Sequence, residues 1–278
     1  MKLPQNYIDG IINAALAEDI NFIDTTTDYL ISDDATCEAH YISKDNGVLC
    51  GIDVAKRVFE IMGGVTFEKK FNDGDKIKRN DIIAEFSGNT KNILKGERTA
   101  LNLLQHMSGI SSYTAKCVEL CIGSVAKVTD TRKTLPGIRA LQKYAVRVGG
   151  GYNHRFNLSD GAMLKDNHIA AHGGIKPAVM ALRQKIGHMV KIEVEVTTLA
   201  ELNEALAAKA DIIMLDNMSV NEMTTAAQIV GDRALLEASG NITLENIRKI
   251  ALTGIDILSI GALTHSVTAF DISQKIIK

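Results

Sequence analysis

No run of apolar residues in this chain approaches the ~20 that a helix needs to cross a bilayer, so no membrane-spanning segment is expected. The opening residues, MKLPQNYIDGIINAALAEDI, carry acids and lack a basic start ahead of an apolar run, so they do not read as a secretory leader. Cysteine is sparse: Cys37, Cys50, Cys117 and Cys121, with no C-x-x-C pair. Cys117 and Cys121 fall one helical turn apart, a spacing that points to a buried helix face rather than to a disulfide or metal pair. Neither sign of charge dominates, with 31 Lys and Arg against 33 Asp and Glu. A net charge of −2 argues against a general nucleic-acid or membrane-surface binder. Also missing are G-x-x-x-x-G-K-[ST], a G-x-G-x-x-G after a strand, and G-x-S-x-G, so nucleotide hydrolysis and dinucleotide binding lose support. The expectation is a cytoplasmic, globular protein, whose 278 residues suit one large domain or two smaller ones.

The chain has two halves with different periodicity. Residues 1–110 mix helical spacing, at 7–18 and 52–62, with short alternating runs at Ala35–Ser43, Val65–Phe71, Lys76–Lys78 and Ile82–Phe86. Asp73-Gly74 is a turn signal between two of these runs. A long helical stretch over 97–120 follows, with Gly109 as a candidate break. In 111–278 the order becomes strand, loop, helix, repeated. Strands are expected at Val125–Thr129, Gly161–Leu164, Lys191–Val196, Asp211–Leu215, Ala234–Glu237 and Ile255–Ser259. Helices are expected near 137–148, 174–186, 198–208, 219–230 and 243–252. Short strands that are apolar at nearly every position, each followed by an amphipathic segment, indicate a parallel sheet covered by helices.

Polar residues gather just after these strands. Asp130, Arg132 and Lys133 follow the first, and Lys165, Asp166, Asn167 and His168 follow the second. Glu193 and Glu195 alternate on the third; Asp216 and Asn217 end the fourth; Glu237, Ser239 and Gly240 end the fifth; Gly261 and Ala262 follow the sixth. The carboxyl ends of parallel strands open onto one rim, where ligands bind in such folds. One polar strand end is weak evidence, since a buried Glu can be a satisfied core group. Polar residues at all six ends indicate a functional rim. Arg132, Lys133, His154, Arg155 and Lys165 form a dense cationic set suited to a ligand with several anionic groups. Ser239-Gly240 and Gly261-Ala262 read as phosphate cradles made of backbone N–H groups. Glu195 and Asp216 suit sugar hydroxyls or a divalent ion such as Mg²⁺, which takes oxygen ligands together with substrate phosphates. His168 and His172, four apart without a nearby Glu or Cys partner, make a weak metal pair. The charges describe a phosphorylated sugar and a carboxylate substrate, and leave the reaction open.

Eight stretches, in order, resemble the quinolinate phosphoribosyltransferase family: ALAEDI, GERTALNLLQHMSGI, DTRKTLPGIRALQKYAVRVGGGYNHR, LKDNHI, IEVEV, MLDN, LEASGNI and SIGALTHS. DTRKTLPG followed by GGGxNHR is highly specific, and the likeness covers nearly the whole chain. The resemblance implies an N-terminal α/β sandwich domain beside an open seven-stranded parallel α/β barrel, with the domains at 1–110 and 111–278 and the last segment free to pack back on the first. It implies phosphoribosyl transfer from phosphoribosyl pyrophosphate to quinolinate with decarboxylation, aided by Mg²⁺, in a homodimer or higher even oligomer with shared active sites. By motif, Arg132, Lys133, His154, Arg155 and Lys165 resemble the residues that hold the quinolinate carboxylates and the phosphates. Glu195 and Asp216 resemble carboxylates near the ribose and the metal, which they meet indirectly, and with Lys165 they make the implied catalytic set. Ser239, Gly240, Gly261 and Ala262 resemble the 5′-phosphate site, and Arg98 the arginine that enters from the partner subunit. Asn157-Leu158 stands where the family carries a Gly-Leu pair. Two other readings fit the same architecture: a paralogue acting on another pyridine or pyrimidine acid or accessory to metal uptake, and a non-catalytic anion-binding protein.

Overall fold

The computed structural model describes residues 3–277. The chain divides into two compact units, one made of Met1–Ala115, Thr134–Gly150 and Leu263–Lys278, the other of Lys116–Lys133 and Gly151–Ala262. No helix among the described residues is long and apolar enough to cross a membrane.

The chain enters the first unit through α1 (Gln5–Asp19) and the short α2 (Thr25–Leu30), whose first amides are capped by Asp24. Then come β1 (Thr36–Ser43), β2 (Gly47–Val48), α3 (Ile52–Met62), β3 (Val65–Lys69), β4 (Lys76–Ile77), β5 (Ile82–Asn89) and the 31-residue α4 (Thr90–Leu120). The main sheet is antiparallel in the order β12-β1-β5-β3, its outer strand β12 (Ile272–Ile276) arriving from the far end of the sequence. Alternation along β1 buries Cys37, Ala39, Tyr41 and Ser43 on one face. Tyr41, Phe67 of β3, Phe86 of β5 and Phe59 of α3 meet there with ring centroids 4.9–6.3 Å apart, so α3 closes over the sheet. The Asp73-Gly74 turn has a second use: Asp73 Oδ1 accepts from the N–H groups of Gly51 and Ile52 at 2.8 and 3.0 Å, capping α3.

The stretch expected as a helix over 97–120 begins earlier, at Thr90, and does not break at Gly109. A Cβ at Gly109 would stand 2.2 Å from the Thr268 carbonyl oxygen, so the glycine serves a close approach of two backbones rather than an interruption. The four cysteines are free and buried, in line with the packed-face reading of Cys117 and Cys121.

Beyond α4 the order is β6 (Lys127–Thr129), α5 (Arg139–Val148), β7 (Ala162–Leu164), α6 (Asp166–Ala171), α7 (Ile175–Arg183), β8 (Ile192–Val196), α8 (Leu199–Ala207), β9 (Ile212–Asp216) and α9 (Val220–Val230). After these come β10 (Leu235–Ser239), α10 (Ile247–Ala251), β11 (Ile257–Ser259) and α11 (Ala262–His265). Helices α8 and α9 start at capping boxes, Thr198 with Glu201 and Ser219 with Glu222. The second unit is built on a six-stranded parallel sheet in the order β6-β11-β10-β9-β8-β7. Its first strand in sequence, β6, pairs with its last, β11, which leaves β6 and β7 as the two edges of an open sheet. In place of a seventh strand there is one parallel bridge, Thr129 to Tyr152, on the free side of β6. Among the described residues no ladder joins Tyr152 to β7, so the opening falls there, and 153–161 connects its two edges.

The strands have two unlike faces. Leu164, Val194, Val196, Ile213, Leu215, Leu236, Ala238, Leu258 and Val128 are buried on one. The registers Met163↔Glu193, Glu195↔Met214, Met214↔Glu237, Asp216↔Ser239 and Ser239↔Ser259 put the polar residues together on the other.

Candidate active site

That second face holds most of the rim residues. Glu195 lies on β8, Asp216 ends β9 and Ser239 ends β10, while Lys165 directly follows β7. Lys165 Nζ donates to Glu195 Oε2, the two side chains being 46% and 17% exposed. The Lys165 backbone N–H donates to His168 Nδ1 at 3.1 Å, so His168 caps α6 instead of offering that nitrogen to a metal. Asp216 is half-buried and accepts from Asn217 Nδ2 at 3.0 Å.

Ser239 and Gly240 stand beside Asn217. The Asn217 N–H donates to the Ser239 carbonyl at 2.9 Å, and Asn241 Nδ2 donates to Asn217 Oδ1 at 3.0 Å. A Cβ on Gly240, at φ +95°, would lie 2.2 Å from Asn217 Oδ1, so only glycine fits. Gly240 and Asn241 are both left-handed, and α10 begins only at Ile247; the segment expected as a phosphate cradle is therefore a turn rather than a helix end. Gly261, in contrast, directly precedes the short α11, in which Ala262 is the first residue.

Arg132 and Lys133 are exposed after β6, where Lys133 N–H donates to Thr131 Oγ1 at 2.9 Å. Arg155 is half-buried; its Nη1 donates to the Gly161 carbonyl at 2.8 Å and its Nη2 reaches Met163 Sδ at 3.7 Å. Burial, and after it the neighbouring Arg132 guanidinium, push the Arg155 pKa down. Two guanidiniums close enough to oppose each other are relieved by an anion between them. Asn157, at the family's glycine position, is absent from the left-handed residues; its Oδ1 accepts from Ser159 N–H at 2.7 Å and needs no glycine conformation.

His154 differs from the other cations. Its Nε2 lies 3.1 Å from Glu193 Oε2 and 3.5 Å from Glu237 Oε1, both carboxylates being almost fully buried. These three are the one group of His, Cys, Asp or Glu among the described residues whose ligand atoms converge. Burial opposes a charge on the ring, and the two carboxylates outweigh it and raise its pKa. Burial in turn pushes Glu193 up. Beside it, the fully buried Asp130 accepts from His154 N–H at 2.9 Å and from Asn153 Nδ2 at 2.6 Å, tying the loop after the Tyr152 bridge to the end of β6. Asp130, Glu193 and Glu237 were visible as polar strand-end residues, but nothing in their spacing identified His154 as their partner.

Arg98 is exposed on α4, in the first unit. The residues brought together in the second unit are Lys165 with Glu195, Arg155 with Arg132, and Asp216 with the Ser239-Gly240 turn.

Residues 24–108 match the family model of the quinolinate phosphoribosyl transferase N-terminal domain, and residues 110–275 that of the C-terminal domain. The chain is 42% identical to nicotinate-nucleotide pyrophosphorylase [carboxylating] of Mycobacterium leprae over 94% of each chain. It is 39% identical to the mitochondrial quinolinate phosphoribosyltransferase [decarboxylating] 2a of Nicotiana tabacum, over 98% of this chain and 83% of that one. The crystal structure of NadC from Streptococcus pyogenes superposes over 100% of both chains with a TM-score of 0.95 at 43% identity. The chain belongs to the quinolinate phosphoribosyltransferase family.

Proposed function

We propose that this protein transfers the phosphoribosyl group of phosphoribosyl pyrophosphate to quinolinate with loss of CO₂, giving nicotinate mononucleotide and pyrophosphate for NAD synthesis. The observation that carries the reading is the gathering of Arg132, Arg155 and Lys165 about a strand face that also presents Glu195 and Asp216. The pyridine nitrogen attacks the anomeric carbon as the bond to pyrophosphate breaks, through an oxocarbenium-like state. Glu195 and Asp216 favour that positive ring, and Lys133 with the amides at Ser239-Gly240 and Gly261-Ala262 hold phosphate groups. The positive ring nitrogen then stabilises the electron pair left on C2 as the carboxylate at ring position 2 leaves as CO₂, and C2 takes up a proton from solvent. Arg132, Arg155 and Lys165 orient the two carboxylates. Lys165 leaves Glu195 to do so, which frees Glu195 for the sugar.

Glu195 and Asp216 offer only hard oxygen donors on neighbouring strands, which suits Mg²⁺ held mainly through pyrophosphate. A bound Mg²⁺ would supply charge neutralisation for the leaving group. EDTA is therefore expected to abolish turnover and leave quinolinate binding, followed by calorimetry, nearly intact. Full activity in excess chelator would remove the metal and the role given to these two carboxylates. The working form in this reading is a cytoplasmic homodimer or higher even oligomer in which Arg98 completes the partner's site. Four unpaired thiols suit a reducing compartment.

The deciding experiment incubates the protein with phosphoribosyl pyrophosphate, Mg²⁺ and either quinolinate or nicotinate. Quinolinate should yield nicotinate mononucleotide and CO₂ with much the higher kcat/KM, because nicotinate leaves desolvated cations unpaired. Comparable values for the two acids would favour a paralogue with another substrate, and the absence of product from either would favour a non-catalytic protein.

A further inference from the structure

The cation set contains one member whose ring faces the wrong way for its expected duty. His154 Nε2 points between Glu193 and Glu237 at 3.1 and 3.5 Å, and its Nδ1 accepts the Arg155 backbone N–H at 2.8 Å. Both ring nitrogens are thus engaged by the protein. A second ring proton, which the carboxylates favour, would have to displace the Arg155 N–H from Nδ1, so the geometry is that of the Nε2–H tautomer. The same occupancy argues against a metal, since a divalent ion on Nε2 would require Nδ1 to carry the proton. Glu193 and Glu237 are 4% and 1% exposed, and Oε1 of each lacks a conventional hydrogen bond. The Nε2–H is therefore the principal donor these buried carboxylates meet in common, and its removal would leave both poorly satisfied.

We infer that His154 is a positioning residue and does not touch substrate: Glu193 and Glu237 hold its ring from within the sheet, and the ring in turn sets the backbone of Arg155, whose guanidinium meets quinolinate. The chain of contacts is continuous. Asp130 fixes the His154 N–H, the ring fixes the Arg155 N–H, and Gly161 and Met163 at the start of β7 fix the Arg155 head. This spans the opening between Tyr152 and β7, where no ladder among the described residues does so. Glu193 and Glu237 thereby become determinants of carboxylate recognition without reaching the ligand.

The inference rests on quinolinate being the substrate, which wild-type turnover, measured first, tests separately. His154→Gln places an amide N–H where Nε2–H stands, whereas His154→Leu fills the space without a donor. Quinolinate affinity by calorimetry, KM for each substrate and thermal stability are then compared. A positioning role predicts that His154→Leu weakens quinolinate about 100-fold or more and that His154→Gln recovers most of that loss. KM for phosphoribosyl pyrophosphate should stay near wild type in both, which separates local repositioning from a general loss of fold. Should His154→Leu fail to fold, Glu237→Leu serves in its place: it removes a carboxylate that holds Nε2–H, and quinolinate binding should weaken while KM for phosphoribosyl pyrophosphate stays near wild type. Equal losses for His154→Gln and His154→Leu in folded protein would overturn the inference in favour of direct contact, as would unchanged quinolinate affinity in folded Glu237→Leu. Tight binding of Zn²⁺ alone that His154→Gln removes would overturn it in favour of a metal site.

Discussion

Alanine in place of Lys165 is expected to lower kcat/KM for quinolinate by about 10²–10³-fold, the scale seen when a preorganised electrostatic group is removed, while thermal stability changes little. The two halves of this expectation have different causes. In activity, the proposed role has Lys165 meet a substrate carboxylate with a point charge, which alanine removes. In stability, its partner is Glu195, which is 17% exposed, but the Lys165 end of the pair is 46% exposed and open to solvent, and solvent-screened pairs contribute about 0–1 kcal/mol. Steady-state kinetics beside a melting curve checks both halves. An unchanged kcat/KM would exclude Lys165 from the site, and a collapse of the melting temperature would reassign it to the fold.

The second large effect concerns Arg98. Arg98→Ala and Lys165→Ala homodimers should each be inactive, and mixing them after reversible dissociation should restore activity. With random exchange about half the dimers are hybrids, and in each hybrid one site has an intact Arg98 from one chain and an intact Lys165 from the other. Recovery should therefore approach about a quarter of wild type per total protein. If Arg98 serves its own chain, every hybrid site keeps one lesion and nothing returns. Mass-tagged chains establish that exchange took place, so silence after proven exchange removes the shared site.

Much of the second unit was legible because its strands and helices differ in local period. All six expected strands and the five expected helices are present, with ends shifted by a few residues, although α5 falls in the first unit. The alternation of Glu193 and Glu195 correctly put both on one face. Two kinds of information were not legible. Long-range pairing left no local trace: β12, with the mixed sequence ISQKI, has its partner on β1, and Gly109 looked like a break because Thr268 lies far away in sequence. Side-chain partnership was equally hidden. Strand register gives the end and face on which a residue sits, but not that Lys165 is held by Glu195 or that His154 turns inward. A sequence shows the charges at a rim, and only packing decides which of them remain available to a ligand.

The pairing of β1 with β12 also governs when the first unit can be completed. Its register, from Ala39 with Ile276 to Ser43 with Ile272, joins a strand translated before α3 to one translated after α11. All of Gly151–Ala262, the greater part of the second unit, is translated between them. Until then β1 has β5 on one side and an open edge on the other, and unpaired edges recruit strands from other chains. The nascent sheet therefore waits with one edge bare while the parallel sheet is made, a stage at which pairing with other chains competes with its own completion.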